Sequence, residues 1–184
     1  DPLKSFVIMA ESGGAISREQ AAHGLRRLCR TSLGRRRLVR SGAVEALLSC
    51  TAHWKVEVIR AAATALEALT KEPAAALKAA HSSFTIAHLT STATKSEADT
   101  AGEADAATFA AVRSYPAAIA ASDTAVDSAP AVSESVTGLV LLTQLMHHHN
   151  GATRLAAQHT YINICSEPGN SVALLGGRAL SELI

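Results

Sequence analysis

Small apolar residues recur along this chain at helical spacing, and the pattern appears more than once. In Gln20–Cys29, the residues Ala21, Ala22, Leu25 and Leu28 fall on one stripe of a 3.6-residue helix, with His23, Arg26 and Arg27 between them. An Arg-rich stretch follows, and then the amphipathic run Ser41-Gly42-Ala43-Val44-Glu45-Ala46-Leu47-Leu48. The layout returns far down the chain, in Ala156-Ala157-Gln158-His159-Thr160-Tyr161-Ile162-Asn163-Ile164-Cys165, a polar stretch, and Gly176-Gly177-Arg178-Ala179-Leu180. Each copy predicts a helix rich in small residues, a short connecting helix, a glycine break and a further amphipathic helix. Small residues let neighbouring helices come close, and Gly42 and Gly177 permit a sharp turn that a side chain would strain.

The large residue of the Ala-Ala-x-x-Leu pattern serves as a ruler. It falls at Leu25, Leu66, Phe109 and Tyr161, in steps of 41, 43 and 52 residues. The first two steps sit near the roughly 40–47-residue period of stacked helical repeats. The lengthened last step points to an insertion at 114–134, which carries Pro116 and Pro130 among Ser, Asp and Ala residues. A single unit of this kind cannot close its own core, so several must stack, and exposed end units need covering. Both ends of the chain are therefore expected to present apolar edges to neighbouring protein. Asp1 in place of an initiator Met leaves room for a removed targeting segment or for further residues ahead of it.

This layout resembles the armadillo repeat family, in which a short first helix, a Gly and a second helix lead to a long third helix with Ala-Ala-x-x-Leu. Residues 20–50 and 154–184 carry the resemblance best. Residues 56–70 are similar to the third helix, Gly138-Leu139-Val140-Leu141-Leu142 to the second-helix junction, and Pro2–Glu11 to a preceding second helix. Residues 73–108 depart from it, and a HEAT-type solenoid is the near alternative. The resemblance implies an all-α, right-handed solenoid of about four units. These run roughly 1–30, 31–72, 73–113 and 135–166, with a partial unit at 167–184.

Composition fits helical packing: 48% of residues are hydrophobic and only 3% aromatic, so Ala, Leu, Val and Ile must form the core. Charge is uneven. Residues 1–72 hold 12 basic and 7 acidic side chains, and residues 73–184 hold 5 and 9. Cys29, Cys50 and Cys165 are odd in number and lack CxxC spacing, which favours buried thiols in a reducing intracellular compartment, cytoplasm or organelle. No apolar run reaches the roughly 18 residues of a membrane span.

The candidate chemistry is the arginine cluster: Arg26, Arg27, Arg30, Arg35, Arg36, Arg37 and Arg40. On an armadillo-like third helix, Arg26, Arg27 and Arg30 would look toward the concave surface, with Arg35 to Arg37 at its edge. Guanidinium forks suit carboxylates and phosphates, so the expected partner is another protein subunit presenting an acidic surface or segment. An RNA backbone is the lesser alternative, because no aromatics interleave with the arginines. At the positions where import-type armadillo proteins carry a Trp/Asn ladder stand His23, Thr64 and His159, and Arg27, Ala68 and Asn163. Only Asn163 fits, and basic cargo would be repelled, so that function is rejected. His147-His148-His149 before Asn150-Gly151 reads as a frayed helix end rather than a metal site. The polar, acidic stretch 90–105 reads as a surface loop.

No catalytic constellation, cofactor motif or metal-ligand spacing stands out. The expected function is a non-catalytic scaffold or adaptor in a larger assembly, with docking residues His23, the seven arginines, His159 and Asn163. A transient peptide-binding or chaperone-like adaptor is one rival; an RNA-contacting ribonucleoprotein subunit is another.

Overall fold

The computed structural model describes residues 2–53, 55–85 and 135–170. Numbered along those residues, the helices are α1 (Pro2–Ser12), α2 (Ala15–Leu28), α3 (Ser32–Arg40), α4 (Ala43–Thr51), α5 (Val56–Leu69), α6 (Pro73–His81), α7 (Gly138–Met146) and α8 (Gly151–Cys165). They stand in rows. The long helices α2, α5 and α8 lie side by side, with α5 in the middle; α1, α4 and α7 form a second row behind them. The short α3 packs on α4 and α5, and the short α6 packs on α7 and α8. This is an all-α solenoid. Among the described residues, no helix is long and apolar enough to cross a membrane.

Helix boundaries follow from local chemistry. The Thr31 hydroxyl accepts the Gly34 N–H at 3.0 Å and starts α3. The Asn150 side chain accepts the N–H groups of Ala152 and Thr153 and starts α8. Pro73 occupies the first turn of α6, where its missing N–H costs nothing.

The central helix α5 is flanked on both sides and is correspondingly apolar, burying Val58, Ile59, Ala61, Ala62, Ala63, Ala65, Leu66 and Leu69. On α2 the buried stripe is Ala21, Ala22 and Leu25; on α8 it is Ala156, Ala157, Thr160 and Ile164. This corrects the ruler by one residue. Thr160, not Tyr161, is the counterpart of Leu25 and Leu66. A threonine can hold a core position because its hydroxyl donates back to the Ala156 carbonyl at 2.8 Å, while Tyr161 stays half-buried beside the core.

Among the described residues, α8 packs directly on α5. Phe109, the rest of the expected 73–113 unit beyond Thr85, the polar stretch 90–105 and the insertion 114–134 lie outside the described residues. So does 171–184, including Gly177. What the structure adds is a short antiparallel ladder in which Ser83, Phe84 and Thr85 (β1) pair with Thr137, Val136 and Ser135 (β2). The ladder joins the residues that follow α6 to those that precede α7.

Two glycines are required. Gly42 adopts φ +86° at the start of α4, a left-handed conformation that L side chains rarely take. At the head of α7, a Cβ on Gly138 would collide with the Ala79 carbonyl of α6, so the close approach of those helices depends on its absence.

Candidate functional site

The C-terminal turns of α2 and the turn that follows it bring His23, Arg26, Arg27 and Arg30 together, as their three- and four-residue spacing allows. Cationic residues there also complement the partial negative charge of a helix C-terminus. The chain then turns through Thr31 into α3, whose first turn carries Arg35 back toward α2. Its Nη1 donates to the Cys29 carbonyl at 3.0 Å. These side chains, with Lys71 from the turn after α5, line an open cavity of about 550 Å³ whose remaining wall is Cys29 and Ala68. Among the described residues, no Asp or Glu lines it.

The adjoining cations are matched by acids. Arg36 Nε meets Glu72 Oε1 at 3.0 Å, and Lys78 Nζ meets Glu45 Oε1 at 3.2 Å. Arg36 is 66% exposed, so its pair is worth about 0–1 kcal/mol. Arg37 and Arg40 are exposed on α3 and do not line the cavity. His23 also approaches Glu19 one turn earlier on α2, at 3.8 Å.

His159 and Asn163 point elsewhere. His159 Nδ1 sits 2.9 Å from Glu67 Oε1, and the Asn163 amide donates to Thr70 Oγ1 at 3.1 Å and to the Glu67 carbonyl at 3.4 Å. Both therefore tie α8 to the C-terminal end of α5. The expected docking set thus divides in three: a convergent group of His23, Arg26, Arg27, Arg30 and Arg35; an outer group of Arg36, Arg37 and Arg40; and an inter-helix pair.

Lys71 is a cavity residue that the sequence reading passed over, lying far from the arginines along the chain and carrying no signal beyond its charge. Arg18 is a basic residue of a different kind. It is buried, donating to the Gly13 and Glu11 carbonyls at 2.6 Å each, and so braces the turn between α1 and α2.

The cavity's thiol is not an activated nucleophile. Burial pushes Cys29 up to about 11, only partly opposed by the Arg35 charge. Cys50, buried with its Sγ donating to the Ala10 carbonyl at 3.1 Å, is likewise pushed up to about 11 by burial. At the end of α7, His148 Nδ1 accepts the Asn150 N–H, and its ring stacks on His149 with centroids 4.2 Å apart. No cluster of three or more His, Cys, Asp or Glu that could hold a metal occurs among the described residues.

Residues 31–71 match the family model of the Armadillo/beta-catenin-like repeat, a span that covers α3, α4 and α5 and ends on the cavity residue Lys71. A crystal structure of an engineered protein is similar at 18% identity and a TM-score of 0.45, over 97% of this chain and 69% of that one. No curated protein matches the sequence.

Proposed function

We propose that this chain, with an armadillo-repeat match over residues 31–71, is a non-catalytic scaffold or adaptor that docks an acidic segment of a partner protein. Armadillo repeats in general serve protein–protein interaction, and a row of third helices side by side is a surface on which an extended partner can lie. The observation that carries the acidic specificity is the cavity itself. Four arginines and a lysine converge there with no carboxylate in its lining among the described residues, while Arg36 and Lys78 just outside are paired. The buried, unactivated Cys29 supports the non-catalytic reading, since a reactive cysteine needs a depressed pKa. Free thiols at Cys29, Cys50 and Cys165 suit a reducing, intracellular setting. We further read the described helices as three stacked units: α1–α2, α3–α5, and α6 with α7–α8.

Titration calorimetry of the full chain with a twelve-residue Glu-rich peptide tests this. Binding is expected, weakening with added salt because the contacts are ionic. It is lost in the Arg26→Gln/Arg30→Gln double variant and kept in Arg37→Gln/Arg40→Gln. Equal binding by the two double variants, or no binding by the parent chain, overturns the proposal.

A further inference from the structure

Resting on that docking role, we infer that the cavity selects a phosphorylated side chain in the partner segment over a carboxylate. Arg35 is held by its Nη1 bond to the Cys29 carbonyl, and its buried Nε has no hydrogen-bond partner. A buried donor without an acceptor is costly, and an acceptor brought beside Arg35 would relieve that cost. Around it, Arg26, Arg27, Arg30 and Lys71 have no ion-pair partner among the described residues. Gathering five cations without acids stores self-repulsion that an anionic ligand relieves.

The kind of anion follows from valence and shape. A carboxylate brings one charge and two oxygens, enough for one forked guanidinium. A phosphoryl group brings roughly −1.5 to −2 charges and three acceptor oxygens, so it can engage several forks at once. The lining holds four arginines to one lysine, and Arg is the side chain whose planar fork matches a phosphate. A volume of about 550 Å³ accommodates a phosphorylated side chain with its neighbours. Nucleic acid is the weaker fit. The described lining offers no Trp, Tyr or Phe on which bases could stack.

The test is fluorescence anisotropy on the full chain with labelled twelve-residue degenerate peptides whose central residue is phosphoserine, glutamate or serine, alongside a twelve-nucleotide oligouridine. The phosphoserine library should bind about tenfold more tightly than the glutamate library. Arg35→Lys keeps the charge but loses the fork, so it should erase most of that preference while leaving glutamate binding nearly intact. Should Arg35→Lys fail to fold by circular dichroism, Arg26→Lys on the exposed face of α2 replaces it. Equal affinity for phosphoserine and glutamate overturns the phosphoryl inference and leaves acidic docking standing. Failure of both libraries to bind overturns the docking role and the inference together. Tighter binding of oligouridine than of either peptide library, lost in Arg26→Gln/Arg30→Gln, overturns the inference in favour of a nucleic-acid site.

Discussion

Removing residues 86–134 tests whether the described helices form a self-sufficient array. In the structure, Thr85 pairs with Ser135 across the short ladder, and the flanking helices α6 and α7 pack on one another and on α8. The two ends to be rejoined are therefore already neighbours, and an Asn-Gly pair suits a two-residue turn between antiparallel strands. If the excised segment acts only as a connection, shortening it removes closure entropy. Going from 86–134 to two residues is between four and five halvings of loop length, each worth about 0.6 kcal/mol, so about 3 kcal/mol of stabilisation is expected. Gly138 sets the limit on tolerance, because its backbone is pressed against Ala79 and cannot shift to absorb a poor turn. The assay is urea denaturation followed by far-ultraviolet circular dichroism, comparing the full chain with the Asn-Gly replacement. A raised midpoint with a single cooperative transition supports direct stacking of α8 on α5. Loss of the helical signal, or a midpoint well below that of the parent, refutes the reasoning and shows that the excised residues complete the core.

Other outcomes follow from single positions. Gly42→Ala places a side chain at φ +86°, where nothing crowds it, so its cost is conformational, about 1 kcal/mol by urea denaturation. Arg18→Met removes two charge-assisted bonds to the Gly13 and Glu11 carbonyls and should cost about 2–3 kcal/mol, unfolding α1 from α2 first by hydrogen exchange. His148 is held below its usual value of 6.5, first by burial and then by the charges of His149 and Arg154. The folded state thus binds that proton less readily than the unfolded one, so the stability it contributes is complete above about pH 6.5 and lost as pH falls through the lowered value. His148→Asn keeps an acceptor for the Asn150 N–H and should flatten that part of the pH–stability curve; an unchanged slope would refute the assignment. With native protein near pH 8, a thiol reagent should modify exposed Cys165 first, while Cys29 and Cys50 react only after denaturation.

The fold was legible where apolar periodicity is strong. Ala21, Ala22 and Leu25, and Ala62, Ala63 and Leu66, mark two neighbouring third helices by composition alone, and Gly42 and Gly138 mark two of the breaks. The register of α8 was written in the spacing, since Ala156-Ala157-x-x leads to Thr160, but a threonine does not look like a core residue, and the large Tyr161 beside it took the place. That one-residue slip rotates a helix by about 100°. His159, exposed on α8, reaches Glu67 of α5, and Asn163 bonds Thr70 just beyond it. Spacing also cannot say which helices touch: the packing of α8 directly on α5 is tertiary information.

The site shows the same division between local and tertiary information. His23, Arg26 and Arg27 lie on one helix and Arg30 in the turn directly after it, so their convergence follows from three- and four-residue spacing and needs no knowledge of the rest of the chain. Arg35 and Arg36 are adjacent in sequence but diverge, one toward the Cys29 carbonyl and the other toward Glu72. Nothing local distinguishes them; the acid that captures Arg36 comes from the turn before α6. The same turn supplies Lys71 to the cavity. Residues 71 and 72 thus sort the cluster, adding a cation inside and neutralising one outside. Exchanging the two (Lys71→Glu with Glu72→Lys) leaves net charge unchanged, so any loss of anion binding in that variant measures arrangement rather than total charge.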